Sequence, residues 1–169
     1  MNTLTQTTDK TKTAPTDHQV IALVGWLVLC LSASGTAVFV STGDWYAQLQ
    51  KPAWNPPAWI FGPVWTLLYV MMGVAAWLVW REGGWKSQTW PLALFLLQWL
   101  LNVLWTPLFF GAHRPGIAFA DIVMLWLTLA ATTICFFRIS HRAGTLLIPY
   151  LAWVSFAAVL NFAIWRLNT

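Results

Sequence analysis

The chain has 169 residues, of which 59% are hydrophobic and only 8% are charged, whereas a soluble domain carries roughly 25% charged residues. This composition excludes an ordinary soluble domain and indicates an integral membrane protein. The net charge is +4, and most basic residues fall in predicted loops rather than on one clustered face, so nucleic acid is excluded as a partner.

The first part of the chain, residues 1–18, is polar and rich in threonine, and it lacks the apolar core of a secretory signal. We predict a disordered tail over 1–18 and a membrane domain over 19–169. Each apolar run in that domain has close to the roughly 20 residues that cross a hydrocarbon core. The sequence therefore predicts an all-α integral membrane protein, a bundle of five transmembrane helices at about 20–41, 58–80, 90–110, 116–137 and 145–165.

The loops between the predicted spans indicate an orientation. Five spans place the two ends of the chain on opposite sides of the membrane. One side then holds six of the nine Lys and Arg residues and the other side holds three. The positive-inside rule favours a cytoplasmic N-terminus if the chain lies in an inner membrane, and the only long loop, 43–57, then faces outward.

Some polar and aromatic residues inside the predicted spans recur every four residues and so share one face of a helix. Hydrocarbon cannot satisfy polar groups, and such faces are therefore expected to point into the bundle. Three spans carry one: Trp65 and Tyr69 in the second; Gln98, Asn102 and Thr106 in the third; Trp153, Ala157 and Asn161 in the fifth.

Two interpretations of these three faces remain open. If the faces converge, they enclose an aromatic box that suits a large, flat, mainly apolar ligand with one or two polar groups. Alternatively, Asn102 and Asn161 only hydrogen-bond neighbouring helices and the tryptophans are core residues. No His or acidic residues match metal-ligand spacing, so no metal site is predicted, and any haem would be held by apolar contacts rather than by an axial histidine.

Three blocks of this sequence resemble the TspO/MBR family of tryptophan-rich sensory proteins. They are WYAQLQKPAWNPPAWIFGPVWTLLY at 45–69, LNVLWTPLFFGAHRPGIAFAD at 101–121 and PYLAWVSFAAVLNFAIWRLN at 149–168. The resemblance extends over roughly residues 20–168. It implies a bacterial multi-pass membrane protein, a five-helix homodimer that binds porphyrins such as protoporphyrin IX and haem, with no cofactor required.

The resemblance also implies which residues act. Trp65 and Trp153 match two tryptophans implicated in light-dependent porphyrin breakdown, and Asn102 matches a polar residue that hydrogen-bonds pocket ligands. The loop 43–57 is expected to close over the pocket. The positions of Trp54, Tyr69, Trp105 and Ala157 match others associated with that cavity.

Three functions follow as hypotheses. The first is a membrane receptor, sensor or carrier for porphyrins. The second is an enzyme that degrades porphyrin in light through Trp65 and Trp153, and the third is a scaffold that acts through partner proteins. Membrane lipid is an expected partner, but Phe162 stands where mammalian members carry the tyrosine of a sterol-recognition pattern, which weakens the expectation of sterol binding.

Overall fold

The computed structural model describes residues 16–36 and 43–169. Within these ranges the regular structure is helical throughout. A π-helical segment, Pro107–Gly111, continues the fourth helix. The α-helices are α1 (Thr16–Ser32), α2 (Gly43–Gln48), α3 (Ala58–Trp80), α4 (Gly84–Thr106), α5 (Pro115–Ile139) and α6 (His141–Leu167).

Four of these helices are long and apolar enough to cross a membrane: α3, α4 with its π-helical continuation, α5 and α6. Helix α1 is apolar but shorter. The prediction of an all-α chain with several membrane-spanning helices is therefore confirmed. Among residues 16–36 and 43–169, the predicted count of five spans is matched only in part, by four spans and one shorter apolar helix. Helix α2 is an additional helix in a segment predicted to be a loop.

Helix α1 begins earlier than the predicted first span. It starts at Thr16, so residues 16–18 belong to the helix, whereas the sequence assigned them to the tail. Asp17 in its first turn is favourable there, because the helix dipole stabilises a negative charge at the N-terminus. The rest of the predicted tail, 1–15, lies outside the described residues.

Helix α1 ends at Ser32, inside the predicted first span; a turn follows at residues 33–34, and residues 35–36 are helical again. The hydroxyl groups of Ser32 and Ser34 donate to backbone carbonyls three residues earlier, at 2.7 and 2.6 Å. Such side-chain bonds compete with the helical hydrogen-bond ladder, and the backbone N–H of Ala33 bonds to the carbonyl of Cys30 in a tighter turn. Residues 37–41 of the predicted span lie outside the described ranges.

The remaining predicted spans agree with α3 to α6 apart from their ends. Helix α3 occupies the predicted range, whereas α4 begins at Gly84, before the predicted start at residue 90. Its first turn is set off by a kink at Gln88, which has φ −120° and ψ 27°. Pro91 has no N–H to bond the carbonyl of Ser87 four residues earlier, which accounts for the irregular turn.

The helices form a bundle in which α3 packs against α1, α4 and α6, and α5 packs against α4 and α6. Gly73 permits the close approach of α1 to α3, since a Cβ atom there would lie 3.0 Å from the Cα atom of Leu27. Phe95 of α4 stacks on Phe136 of α5 with ring centroids 5.8 Å apart. The core between these helices therefore consists of close aromatic and aliphatic contacts.

Helix α2 packs on the π-helical segment. Trp45 lies edge-on to Phe109 at 5.8 Å between ring centroids, and Tyr46 lies edge-on to Phe110 at 5.2 Å. The sequence analysis assigned this segment to the loop 43–57. The helical signal was present but short, since an acidic first turn is followed by aromatic residues that pack on one side.

Candidate functional site

One part of the site joins α3 to α4 through a buried hydrogen bond. The hydroxyl of Tyr69 donates to Oδ1 of Asn102 at 2.9 Å, and these residues are only 6% and 5% exposed. Trp65, one turn earlier on α3, stacks on Tyr69 with ring centroids 5.4 Å apart. The structure thus brings together three of the predicted site residues, as two stacked rings beside an amide.

Tyr150 on α6 completes this group, and the sequence analysis missed it. Its ring lies edge-on to Trp65 with centroids 6.1 Å apart, and it is fully buried. Its hydroxyl lies within reach of the Asn102 side chain. The signal was available, because Tyr150 precedes Trp153 by three residues and so lies on the same side of the helix.

Gln98 extends the same polar face of α4 one turn beyond Asn102, as the four-residue spacing predicted. It is fully buried. Neither its Nε2 nor its Oε1 atom has a hydrogen-bond partner among residues 16–36 and 43–169. The interior next to the Tyr69–Asn102 pair therefore contains an amide whose hydrogen-bonding capacity the described fold does not use.

A second part of the site joins α4, α5 and α6. Trp105 donates its indole N–H to Oδ1 of Asn161 at 2.9 Å, and Nδ2 of Asn161 donates to the carbonyl of Pro115 at 2.8 Å. Asn161 is 1% exposed. Both predicted residues are thus brought together, but in the interhelical role that the sequence had left open as an alternative.

A third part lies at the end of the bundle that faces the loop after α2. Trp153 packs against Phe61 and Phe156, with ring centroids 5.8 and 5.5 Å apart, and Trp54 lies 5.9 Å from Phe156. Trp54 is 49% exposed. The indole N–H of Trp153 is buried without a partner in the described ranges. Phe156 therefore connects the two predicted tryptophans, and the sequence analysis had singled out neither phenylalanine.

Ala157 lies between Trp153 and Asn161, one turn from each. Its small side chain packs against the core. Within the described residues, no three His, Cys, Asp or Glu side chains come together as a metal site requires. The groups that this region offers a ligand are aromatic faces, amides and phenols, and the ligand roles of the predicted residues stay predictions.

Two further contacts attach the segment 43–57 to the bundle. Trp45 stacks on His113, with ring centroids 4.3 Å apart and an interplanar angle of 19°. The backbone N–H of Gln50 donates to Oδ1 of Asn168, and Nδ2 of Asn168 donates to the carbonyl of Gln50, both at 2.9 Å. These contacts hold the segment beside the Trp54 and Trp153 end of the site.

A separate groove of about 510 Å³ runs along the outward face of α5 and α6. We call it the outer groove. Trp126 donates its indole N–H to the hydroxyl of Ser155 at 2.7 Å, and that hydroxyl donates to the carbonyl of Leu151 at 2.8 Å. The outer groove is otherwise apolar, and its lining includes Phe119, Val123, Trp126, Ser155, Val159 and Phe162.

The sequence model of the TspO/MBR family matches residues 20–166. The translocator protein of Homo sapiens is 47% identical over 126 residues, which cover 73% of this chain and 75% of that protein. The tryptophan-rich protein TspO of Chlorobaculum tepidum is 42% identical over 157 residues, 90% of this chain and 99% of that protein. The tryptophan-rich sensory protein of Cereibacter sphaeroides is 41% identical over 144 residues, which cover 85% of this chain and 89% of that protein. The chain therefore belongs to the TspO/MBR family and, with its long apolar helices, is a multi-pass membrane protein.

Proposed function

We propose that this protein is a membrane receptor, sensor or carrier that binds porphyrins such as protoporphyrin IX and haem between α3, α4 and α6. The observation that carries the proposal is the group of Trp65, Tyr69, Asn102 and Tyr150, in which stacked aromatic rings adjoin a buried amide. Aromatic faces with a few polar atoms suit a large, flat, mainly apolar ring system. Membership of the family supports the same ligand class.

The segment 43–57 is proposed to close this site. Its prolines restrict the backbone, so little conformational entropy is lost when the segment is ordered. Trp54 supports this role through its contact with Phe156, which in turn packs on Trp153. The attachment of Gln50 to Asn168 holds the segment beside the site.

The test is an absorption titration of protoporphyrin IX, in the dark, against the purified protein in detergent. The variant Trp65→Phe/Asn102→Leu/Trp153→Phe is expected to lose most of the binding. The control, Trp59→Phe/Trp90→Phe, replaces indoles that are 74% and 69% exposed, and it should bind as the parent protein does. Undiminished binding by the triple variant would contradict the proposed site.

A second candidate function is light-dependent degradation of the bound porphyrin. The observation in its favour is that Trp65 and Trp153 lie on two helices that pack together, with the indole N–H of Trp153 buried and unpaired within the described chain. Excited porphyrin would react with dioxygen as the oxidant and with an indole as the neighbouring reactive group. Under light, the parent protein should bleach bound porphyrin, whereas Trp65→Phe/Trp153→Phe should retain dark binding and not bleach it. If bound porphyrin is equally stable under light in the parent protein and in the variant, the degradation function is contradicted and the receptor or carrier function remains.

Three further predictions from the sequence accompany this proposal. We propose a homodimer and a cytoplasmic N-terminus in a bacterial inner membrane, the latter from the distribution of Lys and Arg. Sterol is the weakest of the proposed ligands, because Phe162 has no hydroxyl where the recognition pattern has tyrosine. Cross-linking in membranes and accessibility of an N-terminal tag would test the first two.

A further inference from the structure

Helix α2, at the start of the segment 43–57, is attached to the bundle through aromatic side chains. None of its six residues is buried. Trp45 and Tyr46 lie edge-on to Phe109 of the π-helical segment, at 5.8 and 6.3 Å between ring centroids. Phe109 is only 1% exposed and stacks on Trp105 at 5.0 Å. The attachment of α2 thus depends on ring contacts at its surface, and a change in one of them is expected to alter how often α2 opens.

His113 makes the closest of the ring contacts to α2. Its ring stacks on Trp45, with centroids 4.3 Å apart and an interplanar angle of 19°. The backbone of His113 has φ 54°, in the left-handed region that residues other than glycine seldom adopt. The N–H of the next residue, Arg114, bonds back to the carbonyl of Leu108 at 3.2 Å. The turn therefore has a fixed conformation that presents the His113 ring to Trp45.

This contact lies where a histidine can exchange protons with water. His113 falls between the membrane-spanning segments that end at Gly111 and begin at Pro115, and it is exposed. Histidine is the side chain whose charge normally changes between about pH 5 and about pH 8. An imidazolium stacked on an indole gains a cation–π attraction that a neutral imidazole lacks, and tryptophan is the best aromatic partner for it. The contact with Trp45 is therefore expected to strengthen as the pH falls.

Two basic residues of the bundle act on His113 whether α2 is closed or released. Arg114 follows His113 in the same turn, and Arg166 lies in the last turn of α6. Neither belongs to the segment 43–57, so their repulsion of a charged His113 ring is nearly the same in both positions of α2. The π-helical segment, Pro107–Gly111, contains no titratable side chain. These groups therefore do not decide whether protonation favours closure.

The charged residues that move with α2 are Asp44 and Lys51. Asp44 precedes Trp45 and is exposed, and its carboxylate attracts a protonated His113. The ammonium group of Lys51 is engaged near the other end of α2, where it donates to two backbone carbonyls at 3.3 and 3.1 Å. Tyr46 stays neutral, because burial raises the pKa of its phenol above the ordinary value of 10.0. The Asp44 charge and the cation–π attraction thus act in the same direction.

We infer that His113 and Trp45 form a pH-sensitive latch, which holds α2 and the segment 43–57 against the bundle more firmly when His113 is protonated. Because protonation favours the closed position, closure becomes more complete as the pH falls, and α2 is released more often at alkaline pH. The latch itself needs no ligand. Its consequence for a ligand, slower release of porphyrin at lower pH, rests on the proposed function.

The first measurement is hydrogen exchange of residues 43–49 in the ligand-free protein, expressed as protection factors at about pH 5.5 and about pH 8. The parent protein is expected to protect this stretch about two- to fivefold better at the lower pH, as a cation–π contact at an exposed site predicts. His113→Phe keeps a ring against Trp45 but cannot be protonated, and it should remove the dependence on pH. Equal protection at both pH values in the parent protein, or a dependence that persists in His113→Phe, overturns the latch.

His141→Phe is the matched control. His141 also contacts a ring, edge-on to Phe137 at 5.3 Å, but it lies at the start of α6, at the opposite end of that helix from Asn168 and the segment 43–57. The pH dependence of residues 43–49 should survive this substitution, and its loss here would also overturn the latch. If phenylalanine disturbs the turn at position 113, His113→Asn decides, because asparagine adopts the left-handed conformation readily and does not titrate. Protection in that variant should be low at both pH values.

The second measurement tests the consequence for a ligand. Protoporphyrin IX is expected to dissociate from the parent protein a few-fold more slowly at about pH 5.5 than at about pH 8. Each rate is taken relative to that of His113→Phe at the same pH, which removes the titration of the porphyrin itself. If hydrogen exchange depends on His113 and dissociation does not, the latch stands and the proposed closure of the site by the segment 43–57 fails. If the protein binds no porphyrin, the proposed function fails, and hydrogen exchange alone decides the latch.

Discussion

The site between α3, α4 and α6 and the outer groove on α5 and α6 are both lined by aromatic side chains, yet their polar groups differ. In the outer groove, Trp126 donates to Ser155, and Ser155 donates to the backbone of its own helix. In the site between α3, α4 and α6, which we call the inner site, the amide of Gln98 and the indole N–H of Trp153 have no partner among the residues described.

This difference separates two kinds of binding surface that tryptophan content alone does not distinguish. A groove whose few polar groups are already bonded offers a ligand mainly van der Waals contact, which suits lipid acyl chains. A site with unused donors and acceptors binds a ligand that carries polar atoms more tightly, because such a ligand supplies the missing hydrogen bonds. A porphyrin is therefore expected in the inner site.

The largest effect is expected from filling each region with a phenylalanine. Ala157→Phe should lower the affinity for protoporphyrin IX by about 100-fold, because the added ring occupies the space between Trp153 and Asn161. Val159→Phe places a ring in the outer groove, where Val159 is 59% exposed, and should change the affinity less than about twofold. Absorption titration measures both, and the opposite ranking would place the ligand in the outer groove.

A smaller effect, on stability, is expected from Asn161→Leu. The substitution leaves the indole N–H of Trp105 without its acceptor and removes the bond to the carbonyl of Pro115. The free energy of unfolding should fall by about 2 kcal/mol, because the indole N–H of Trp105 then stays partly buried without an acceptor. Denaturant titration in detergent measures it. An unchanged midpoint would show that the pair does not hold α4, α5 and α6 together.

A weaker effect is expected from Asn168→Ala, which removes the two hydrogen bonds to Gln50. Because Asn168 is exposed, stability should fall by only about 1 kcal/mol. Hydrogen exchange of the segment 43–57 should quicken, and porphyrin should dissociate a few-fold faster. If exchange in this segment stays the same while α6 exchanges faster, the contact stabilises the helix end rather than the closure of the site.

The smallest effect is expected from Ser155→Ala in the outer groove. Trp126 loses its acceptor, but its indole lies at the surface of the bundle, 37% exposed. Interhelical hydrogen bonds in membrane proteins average about 0.6 kcal/mol, and stability should change by no more than about that amount. Thermal unfolding followed by tryptophan fluorescence measures it. A loss as large as that of Asn161→Leu would remove the contrast between the two regions.

Some of this fold could be predicted from local sequence alone. Helix α3 occupies its predicted range, because a long apolar run between Pro57 and Arg81 has one stable form in hydrocarbon, a helix that satisfies its own backbone. The same reasoning correctly predicted that Asn102 would face the bundle, since lipid offers no partner for an amide. These conclusions depend only on neighbouring residues and on the membrane.

Other features depended on which helices meet and at what depth. The sequence placed Asn161 on an inward face, and the family resemblance assigned Trp105 to the cavity. Neither showed that the two residues bond to each other, and Tyr150 was missed. Gln50 and Asn168 are 118 residues apart, and no local pattern relates them. Length, apolar spacing and composition thus determined the long helices and most of their buried faces. Only the tertiary structure decided which polar groups pair and which stay unpaired, because a hydrogen bond depends on the distance between helices that are remote in the chain.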